Sequence, residues 1–295
     1  MNTPHNFSYS AILTCHNAQD SIGKALDGIF SQTLPPKEII VVDDCSTDES
    51  LGEIERFNDR SIPLYILKNE TNRGQSWSRN RAIQSSTSDF AVIFDDDDYS
   101  LPERAEEHLR LFNMGSVLNF VSSRKYYENG HQVQLLNQDL QMSRITRREA
   151  LLNILIGKPI KGAELVAIPA STSAVSVVEF VEIGGYDIEF RRLEDAEIFI
   201  RFANGVHSFA WSSLPLVDRF ATFSGDKGGT IETSYELKIL AKYRNEISKV
   251  EYSNAKNLIE LRDYYFGRDY LRLLISLMTN PGKMRILISK SSRAL

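Results

Sequence analysis

The sequence has few cysteines and lacks the patterns of several protein classes. Its 295 residues include only Cys15 and Cys45, too few for a disulfide framework and not in a metal-ligand spacing, which favours a reducing compartment. No run of about 18 apolar residues predicts a membrane span, and the polar segment 1–8 lacks the pattern of a signal peptide. The net charge of −5 argues against general nucleic-acid binding. We therefore expect a cytoplasmic globular protein that does not bind nucleic acid.

The net charge of the chain changes sign near the C-terminal end. Residues 262–295 carry a net charge of +5, whereas the rest of the chain carries −10. Apolar and aromatic residues lie among these basic ones: Tyr264, Tyr265, Phe266, Tyr270, Leu273, Leu274, Ile275, Leu277 and Met278. Two interpretations stay open. The segment is either a packing helix with a solvated basic edge, or a peripheral contact with an anionic membrane, which would be the inner face of the plasma membrane.

Short apolar runs alternate with helical patterns over the first hundred residues, which is typical of βαβ units. Strands are predicted at residues 9–14, 39–42, 64–67, 90–94 and 117–121, and a helix is predicted from Pro102 to about Asn113. From Ser234 onward the pattern is mostly helical. The sequence therefore predicts a doubly wound, mostly parallel, Rossmann-like α/β sheet. We expect a domain of residues 1–232 followed by a helical C-terminal extension of residues 233–295.

Four adjacent carboxylates directly follow the predicted strand 90–94: Asp95, Asp96, Asp97 and Asp98. Such a cluster repels itself and raises its own pKa values, so something positive should offset the cost. A divalent cation that prefers oxygen ligands, and that itself bridges to phosphate, would do so. The alternative is a solvated acidic turn. Because this run follows a buried strand directly, the metal interpretation is the stronger one.

Two further acidic pairs allow two interpretations each. Asp43 and Asp44 end the predicted strand 39–42, at the edge of the sheet where a nucleotide base and ribose would lie. They could equally cap the helix predicted to begin near Thr47. Glu194 and Asp195 precede the apolar face of another predicted helix. Taken alone, Asp195 would be a reasonable N-cap.

Five ordered motifs together resemble the large inverting glycosyltransferase family 2, which has the GT-A fold. They are the opening strand and turn Ser10 to Asn17; Ser31-Gln32-Thr33 with Glu38 to Ser46; Asn72-Arg73-Gly74 with Ser78-Arg79-Asn80; Asp95 to Asp98 with Leu101-Pro102; and Gly184 to Asp187 with Leu193-Glu194-Asp195. The resemblance covers about residues 8–205. Five motifs in order are far more specific than any one of them.

The resemblance implies a role for each matching residue. Thr14, Asp43 and Asp44 would contact the base of a nucleotide-diphosphate sugar, most often a UDP-sugar, and Arg73 would approach the base or the diphosphate. Asp95 would reach the ribose or donor sugar, beside Asp96, and Asp97 and Asp95 would bind Mn²⁺ or Mg²⁺. Asp195 would be the catalytic base, supported by Glu194. The acceptor would be a saccharide or lipid-linked saccharide in bacterial cell-surface polysaccharide or lipopolysaccharide synthesis.

One departure from the family pattern and two alternatives bear on this prediction. Many members carry a histidine in the segment after the base, whereas residues 220–229 contain none, which leaves Asp226 only as a guess for a further metal ligand. A sugar-1-phosphate nucleotidyltransferase would usually have a glycine-rich loop after the first strand, and none occurs here. A degenerate GT-A binding module would have lost the aspartates or the base, yet both are present.

Overall fold

The strands in the part of the chain that the structure describes form a single sheet of ten members. The computed structural model describes residues 7–127, 132–135, 139–160, 168–220 and 230–279. The strands are β1 (Tyr9–Cys15), β2 (Glu38–Asp43), β3 (Leu64–Lys68), β4 (Phe90–Asp95), β5 (Asp98–Ser100), β6 (Leu118–Tyr126), β7 (Gln132–Leu135), β8 (Leu140–Ser143), β9 (Ser173–Ser176) and β10 (Ser208–Phe220). Their order is β3-β2-β1-β4-β9-β6-β10-β5, with β7 beside β6 and β8 beside β10.

The helices flank and follow these strands. They are α1 (Ile22–Phe30), α2 (Ser50–Glu55), α3 (Gln75–Gln84), α4 (Arg104–Asn113), α5 (Arg147–Ile156), α6 (Val177–Glu182), α7 (Glu194–Phe202), α8 (Thr230–Lys242), α9 (Lys249–Phe266) and α10 (Tyr270–Thr279). The expectation that Pro102 is the first residue of a helix is wrong. The carbonyl oxygen of Pro102 accepts a hydrogen bond from Thr33 N, which lies in the segment after α1. Helix α4 begins two residues after Pro102, at Arg104.

The predicted mostly parallel α/β sheet is confirmed. Strands β3, β2, β1 and β4 are parallel neighbours. Strand β9 then pairs antiparallel with both β4 and β6, and β10 runs parallel to β6. Every residue of β1 and β2 is buried, as expected for central strands covered on both faces. The carboxyl ends of β1, β2 and β4 therefore meet at one edge of the sheet.

The chain divides into two compact units. The first comprises Met1–Ile145 and Val166–Thr222 and contains the whole sheet; the second comprises Thr146–Leu165 and Phe223–Leu295. The division into continuous segments 1–232 and 233–295 stays a prediction. No helix in the part of the chain that the structure describes is long and apolar enough to cross a membrane.

The described residues of the second unit form helices α5, α8, α9 and α10. Helix α5 begins at a capping box formed by Thr146 and Glu149, and α9 begins at another formed by Ser248 and Glu251, which satisfies backbone N–H groups that would otherwise lack partners. Apolar residues of α5, α8 and α9 are buried: Ala150, Leu151, Leu152, Leu155, Ile239, Leu240, Ala255, Leu258, Ile259 and Leu261. Ion pairs Arg148–Glu251 and Arg262–Glu236 lie within this unit.

Candidate active site

The ends of three parallel strands bring the predicted donor residues together. In the sheet register, Thr14 of β1 lies opposite Asp95 of β4, and Cys15 lies opposite Asp43 of β2. Asp44 follows directly, and its backbone N–H donates to Cys15 O over 2.8 Å. Strand order therefore brings the acidic pair after β2 and the acidic run after β4 to the two sides of one strand end, the arrangement expected at the ligand edge of such a sheet.

Asp44 is a buried carboxylate with three hydrogen-bond donors. Asn69 Nδ2 and Arg73 N donate to its Oδ1 over 2.7 and 2.9 Å, and Gly74 N donates to its Oδ2 over 2.7 Å. Gly74 has a φ of 87°, a conformation that glycine adopts at low cost. The carboxylate therefore holds the segment between β3 and α3 against the end of β2.

Asp43 is also satisfied locally, and neither aspartate caps a helix. The Ser46 backbone N–H donates to Asp43 Oδ1 over 3.3 Å, and the Cys15 thiol donates to the same oxygen over 3.6 Å. Helix α2 begins at Ser50 with Glu49 at its N-cap position. The interpretation of Asp43 and Asp44 as its caps is therefore wrong, because the chain turns at residues 45–49 before the helix starts.

A polar cavity of about 230 Å³ opens at this strand end; its lining residues are Thr14, Cys15, His16, Asp44, Asn72, Gly74, Gln75, Ser78 and Asp96. Within the described residues, the buried hydroxyl of Thr14 has no hydrogen-bond partner. An unsatisfied buried hydroxyl is costly and indicates a group that a ligand would complete. The Arg73 guanidinium lies instead 4.5 Å from the centre of the half-buried Trp77 ring, so only the backbone of this residue is close to the cavity through Asp44.

The acidic run after β4 forms a compact cluster. One carboxylate oxygen from each of Asp95, Asp97 and Asp98 lies within 4.8 Å of the others. Burial and the charges of the neighbouring Asp95 and Asp97 raise the pKa of Asp98 to about 7, and Arg219 offsets this rise only in part. Burial and the charges of Asp97 and Asp95 likewise raise the pKa of Asp96 to about 7. The neighbouring positive charge does not offset that of the carboxylates, and three hard oxygen ligands suit Mg²⁺ or Mn²⁺.

A buried arginine connects this cluster with the predicted base. Arg79 of α3 is 1% exposed; its Nη2 lies 2.7 Å from Asp95 Oδ1 and its Nη1 lies 3.0 Å from Glu194 Oε1. Although burial lowers the pKa of Arg79, the charges of Asp95, Tyr186 and Glu194 raise it overall. The guanidinium therefore stays charged between two carboxylates that are far apart in sequence.

The predicted base lies in the first turn of α7. The helix begins at Glu194 after Leu193, which has a φ of 57°, and no side-chain cap is present there. The capping interpretation of Asp195 is therefore wrong; its Oδ1 accepts from the adjacent Ala196 N over 2.7 Å. Burial and the charge of Glu194 raise the pKa of Asp195 to about 7, against lowering by Ala196 N, Arg79 and Arg219. A carboxyl group with such a pKa suits proton transfer near neutral pH.

The segment before α7 is fixed by α3 as well. Asn80 Nδ2 donates to Tyr186 O over 2.8 Å, and Tyr186 N donates to Asn80 Oδ1 over 2.7 Å. A side chain at Gly185, whose φ is 67°, would meet Asn80 Oδ1 at 2.6 Å. The Ser78-Arg79-Asn80 motif thus contacts both the glycine pair and the acidic motif, which explains why these motifs occur together.

The structure also adds residues that received no role from the sequence. Asp98 joins Asp95 and Asp97, and Arg219 of β10 lies with its Nε 3.6 Å from Asp98 Oδ2. Arg79 shares a helix face with the buried Ala82 and Ile83, and a charged residue at that spacing was the available signal. Asp226, the guess for a further metal ligand, lies outside the described residues. His207 packs against Phe202 at the other end of α7.

Comparisons with known proteins agree with this geometry. The sequence model of the family described as "Glycosyl transferase family 2" matches residues 10–165, more than half of the chain. An uncharacterized glycosyltransferase of Haemophilus influenzae is 28% identical over 193 residues, which cover 65% of this chain and 60% of that protein. The putative teichuronic acid biosynthesis glycosyltransferase TuaG of Bacillus subtilis is 28% identical over 149 residues, covering 50% and 58%. The chain thus spans about 60% of the length of these curated relatives.

Solved structures share the fold. The crystal structure of Staphylococcus aureus TarS 1–349 in complex with UDP superposes with a TM-score of 0.63 at 20% identity and covers 89% of this chain and 73% of that one. The complex of TarS 1–349 with UDP-GlcNAc gives a TM-score of 0.64 at 18% identity, covering 88% and 73%. At this identity the likeness establishes the GT-A fold alone. With the family match over residues 10–165, the chain belongs to glycosyltransferase family 2.

Proposed function

We propose that this protein transfers a sugar from a UDP-sugar to an acceptor hydroxyl with inversion at the anomeric carbon. The observation that carries the proposal is the joint placement of the acidic cluster and the base turn by Arg79, which pairs with Asp95 at 2.7 Å and with Glu194 at 3.0 Å. The TarS structures that share the fold hold UDP and UDP-GlcNAc, which supports a uridine nucleotide. The alternative is a degenerate module that binds the nucleotide without transfer.

The uracil and ribose would occupy the cavity at the end of β1. The unpartnered hydroxyl of Thr14 would form a hydrogen bond with the base. Asp43 and Asp44 would lie beside the base. Asp44 already accepts three hydrogen bonds, so its first contribution is to fix the wall that contains Arg73. Asp96, which also lines the cavity, lies between the base side and the metal cluster, where the diphosphate would be.

The cluster fits Mn²⁺ or Mg²⁺, since it offers three carboxylate oxygens within 4.8 Å and a cation would lower the raised pKa of Asp98. Asp95 and Asp97 would hold the ion, with Asp98 as the third carboxylate. When bound, the cation would stabilise the negative charge that develops on the leaving diphosphate. Because one oxygen of Asp95 pairs with Arg79, its second oxygen is the one free to serve the ion or the donor without competition.

Asp195 would remove the proton of the acceptor hydroxyl as that oxygen attacks the anomeric carbon. A carboxyl group with a pKa of about 7 is partly ionised at neutral pH and is a better proton acceptor than an ordinary carboxylate. Glu194, paired with Arg79, fixes the turn that carries the base. Attack from the face opposite the diphosphate inverts the configuration, and no enzyme nucleophile is needed.

The acceptor side rests on relatives and on the surface of the second unit. TuaG is named for teichuronic acid biosynthesis and TarS for transfer to poly(ribitol-phosphate), which supports a saccharide or lipid-linked acceptor in cell-surface polysaccharide synthesis. We place the enzyme in the cytoplasm, on the inner face of the membrane. Exposed apolar residues at the end of α9 and on α10 would contact the bilayer: Tyr265, Phe266, Tyr270, Leu271, Leu274 and Ile275. The net charge of +5 over residues 262–295 would favour anionic lipid.

Vesicle binding tests this contact. Co-sedimentation with anionic vesicles should be salt-sensitive and should fall in a Leu271→Glu, Leu274→Glu variant, because the charges oppose burial of the apolar face. Val250→Glu, at an exposed position of α9 outside this face, is the matched control and should bind normally. Binding equal to wild type in the double variant would contradict the membrane proposal.

A thermal-shift panel tests the main proposal. UDP, GDP, dTDP and CDP are each combined with Mn²⁺, Mg²⁺ or EDTA, on wild type and Asp97→Ala. A ligand that binds only the folded state raises Tm by mass action, so metal-dependent stabilisation by UDP that is lost in Asp97→Ala is expected. UDP release from a UDP-sugar, lost in Asp195→Asn, would then distinguish a transferase from a binding module. No shift with any nucleoside diphosphate would overturn the donor site.

A further inference from the structure

Arg79 forms ion pairs with both the acidic cluster and the base turn. It lies in α3, whereas Asp95 ends β4 and Glu194 begins α7. Its side chain is 2% exposed, and those of Asp95 and Glu194 are 17% and 12% exposed. Water therefore screens the three charges poorly. The two ion pairs join α3 to the end of β4 and to the start of α7 at short distances.

Packing of α3 does not depend on this arginine. Asn80 already binds both backbone groups of Tyr186, Ser76 Oγ donates to Phe190 O over 2.8 Å, and Ala82 and Ile83 are fully buried. An apolar side chain at position 79 would avoid burying the guanidinium but would leave the carboxylates of Asp95 and Glu194 without their partner. Moreover, Arg79 Nε has no hydrogen-bond partner within the described chain. The buried guanidinium is therefore not needed to hold α3 in place. Its ion pairs act on the two carboxylates instead.

We propose that Arg79 is a positioning residue that fixes the base-bearing turn of α7 relative to the acidic cluster. Its rigid, planar guanidinium donates from Nη1 to Glu194 and from Nη2 to Asp95, and so fixes both carboxylates at once. A lysine ammonium is a point charge and lacks this planar geometry. The kinetic consequence rests on the proposed transferase function, whereas the link between the two segments does not.

Hydrogen exchange tests the link without any ligand. In Arg79→Lys, peptides covering residues 94–100 and 192–199 should both exchange at least about tenfold faster than in wild type, because each loses its fixed partner. Arg201→Lys is the matched control: Arg201 forms a bidentate pair with buried Glu197 on the same helix, away from the acidic cluster. It should not accelerate exchange in residues 94–100. Acceleration of only one segment in Arg79→Lys, or of neither, overturns the proposal.

Kinetics separates positioning from folding. With UDP-GlcNAc as the donor probe, Arg79→Lys should lower kcat for UDP release by about 100-fold, since small misplacements of reacting groups have effects of this size. The Kd of UDP measured in EDTA should change by less than about threefold, because the cavity at the end of β1 does not include Arg79. Arg201→Lys should lower Tm without this loss of kcat. If kcat of Arg79→Lys is normal, or both variants lose activity in step with Tm, Arg79 has only a structural role. If wild type releases no UDP, the donor assignment fails, and hydrogen exchange still decides the role of Arg79.

Discussion

Two acidic runs end neighbouring parts of the same sheet, yet their environments differ. Asp44, after β2, accepts hydrogen bonds from Asn69, Arg73 and Gly74. Asp96 and Asp98, after β4, have pKa values raised to about 7 because burial and neighbouring carboxylates outweigh the available positive charge. The first run is complete within the protein. The second is electrostatically incomplete and gains most from a cation.

The difference shows what an acidic pair at a strand end means physically. A carboxylate that receives backbone N–H groups stabilises a loop, and its charge contributes to the fold. A carboxylate that faces other carboxylates destabilises the fold, and that cost is retained where a ligand offsets it. Fixing the wall of the cavity and holding a cation are thus divided between the two runs, and substitutions in each should have opposite signatures.

The largest expected difference is in metal-dependent activity. Asp97→Asn should lower UDP release by about 10³-fold, the size of effect expected when an electrostatic stabiliser of the leaving group is lost. EDTA should do the same to wild type. Asp44→Asn should keep its response to Mn²⁺, measured at a temperature where it is folded. An Asp97→Asn variant that still responds to Mn²⁺ would place the cation elsewhere.

Stability without metal should separate the two runs in the opposite direction. Asp44→Asn should lower the free energy of unfolding, measured in urea with EDTA, by about 3 kcal/mol. The asparagine amide cannot accept all three hydrogen bonds, and its own N–H groups would face the donors that now bind Asp44. Asp98→Asn should be neutral or stabilising, since it removes one of several crowded charges. If both variants lose the same free energy, the contrast between a complete and an incomplete run does not hold.

The sequence predicts the strands well for a physical reason. Buried parallel strands such as β1 and β2 require continuous apolar runs, and carboxylates directly after them mark the ligand edge. The acidic cluster is therefore visible in the sequence. Its positive partners are not: the sequence argument required something positive, and the structure supplies Arg79 and Arg219 from elements that tertiary packing alone brings near.

Local patterns mislead where a turn intervenes. Asp44 and Asp195 each precede an apolar helical face, which favours capping, but α2 starts at Ser50 and α7 already includes Asp195. Nor does the sequence reveal that α5, which lies between strands in the chain, belongs to the same unit as α8 and α9. Capping depends on the chain direction just before the helix, and unit membership depends on long-range contacts. Neither is encoded in a local pattern.

The pH dependence of stability without metal should follow the incomplete run. The folded pKa values of Asp96 and Asp98 are about 7, above the ordinary 3.8. The folded state therefore holds their protons more tightly, and this stabilisation is complete below about pH 4 and lost as pH rises through 7. Tm in EDTA should fall from about pH 5.5 to about pH 8 by at least 2–4 °C, roughly 1 kcal/mol. Asp195, whose pKa is also raised to about 7, adds to this trend, whereas His108, whose pKa burial lowers to about 3, opposes it as pH rises through 6.5. Glu38, whose pKa is lowered overall although burial raises it, opposes the trend only at lower pH.

Mn²⁺ should reverse that slope. Metal binding requires ionised carboxylates, so the increase in Tm caused by Mn²⁺ should grow as pH rises toward 8. Asp98→Asn should flatten the slope in EDTA, whereas Asp44→Asn should shift the whole curve downward without flattening it. A wild-type Tm that rises over this range in EDTA would contradict the assignment of raised pKa values to the second run.

The smallest expected effect concerns the hydroxyl between the two runs. Thr14 Oγ1 is buried and unpartnered in the described chain, so Thr14→Val removes no internal hydrogen bond. Stability should therefore be unchanged or rise by up to about 1 kcal/mol, because an unsatisfied buried hydroxyl is removed, while the Kd for UDP with Mn²⁺ should rise about 2- to 10-fold, the value of one hydrogen bond. Calorimetric titration and urea unfolding measure the two quantities separately.

Thr172→Val is the matched control for this substitution. Thr172 is equally buried, but its Oγ1 donates to Pro169 O over 3.0 Å, so the control should cost about 1 kcal/mol of stability and leave the UDP affinity unchanged. Together the two valine variants separate a hydroxyl reserved for a ligand from one used by the fold. If both variants lose the same stability and keep their UDP affinity, the Thr14 hydroxyl serves the fold, as the Asp44 carboxylate does. Other groups would then recognise the base.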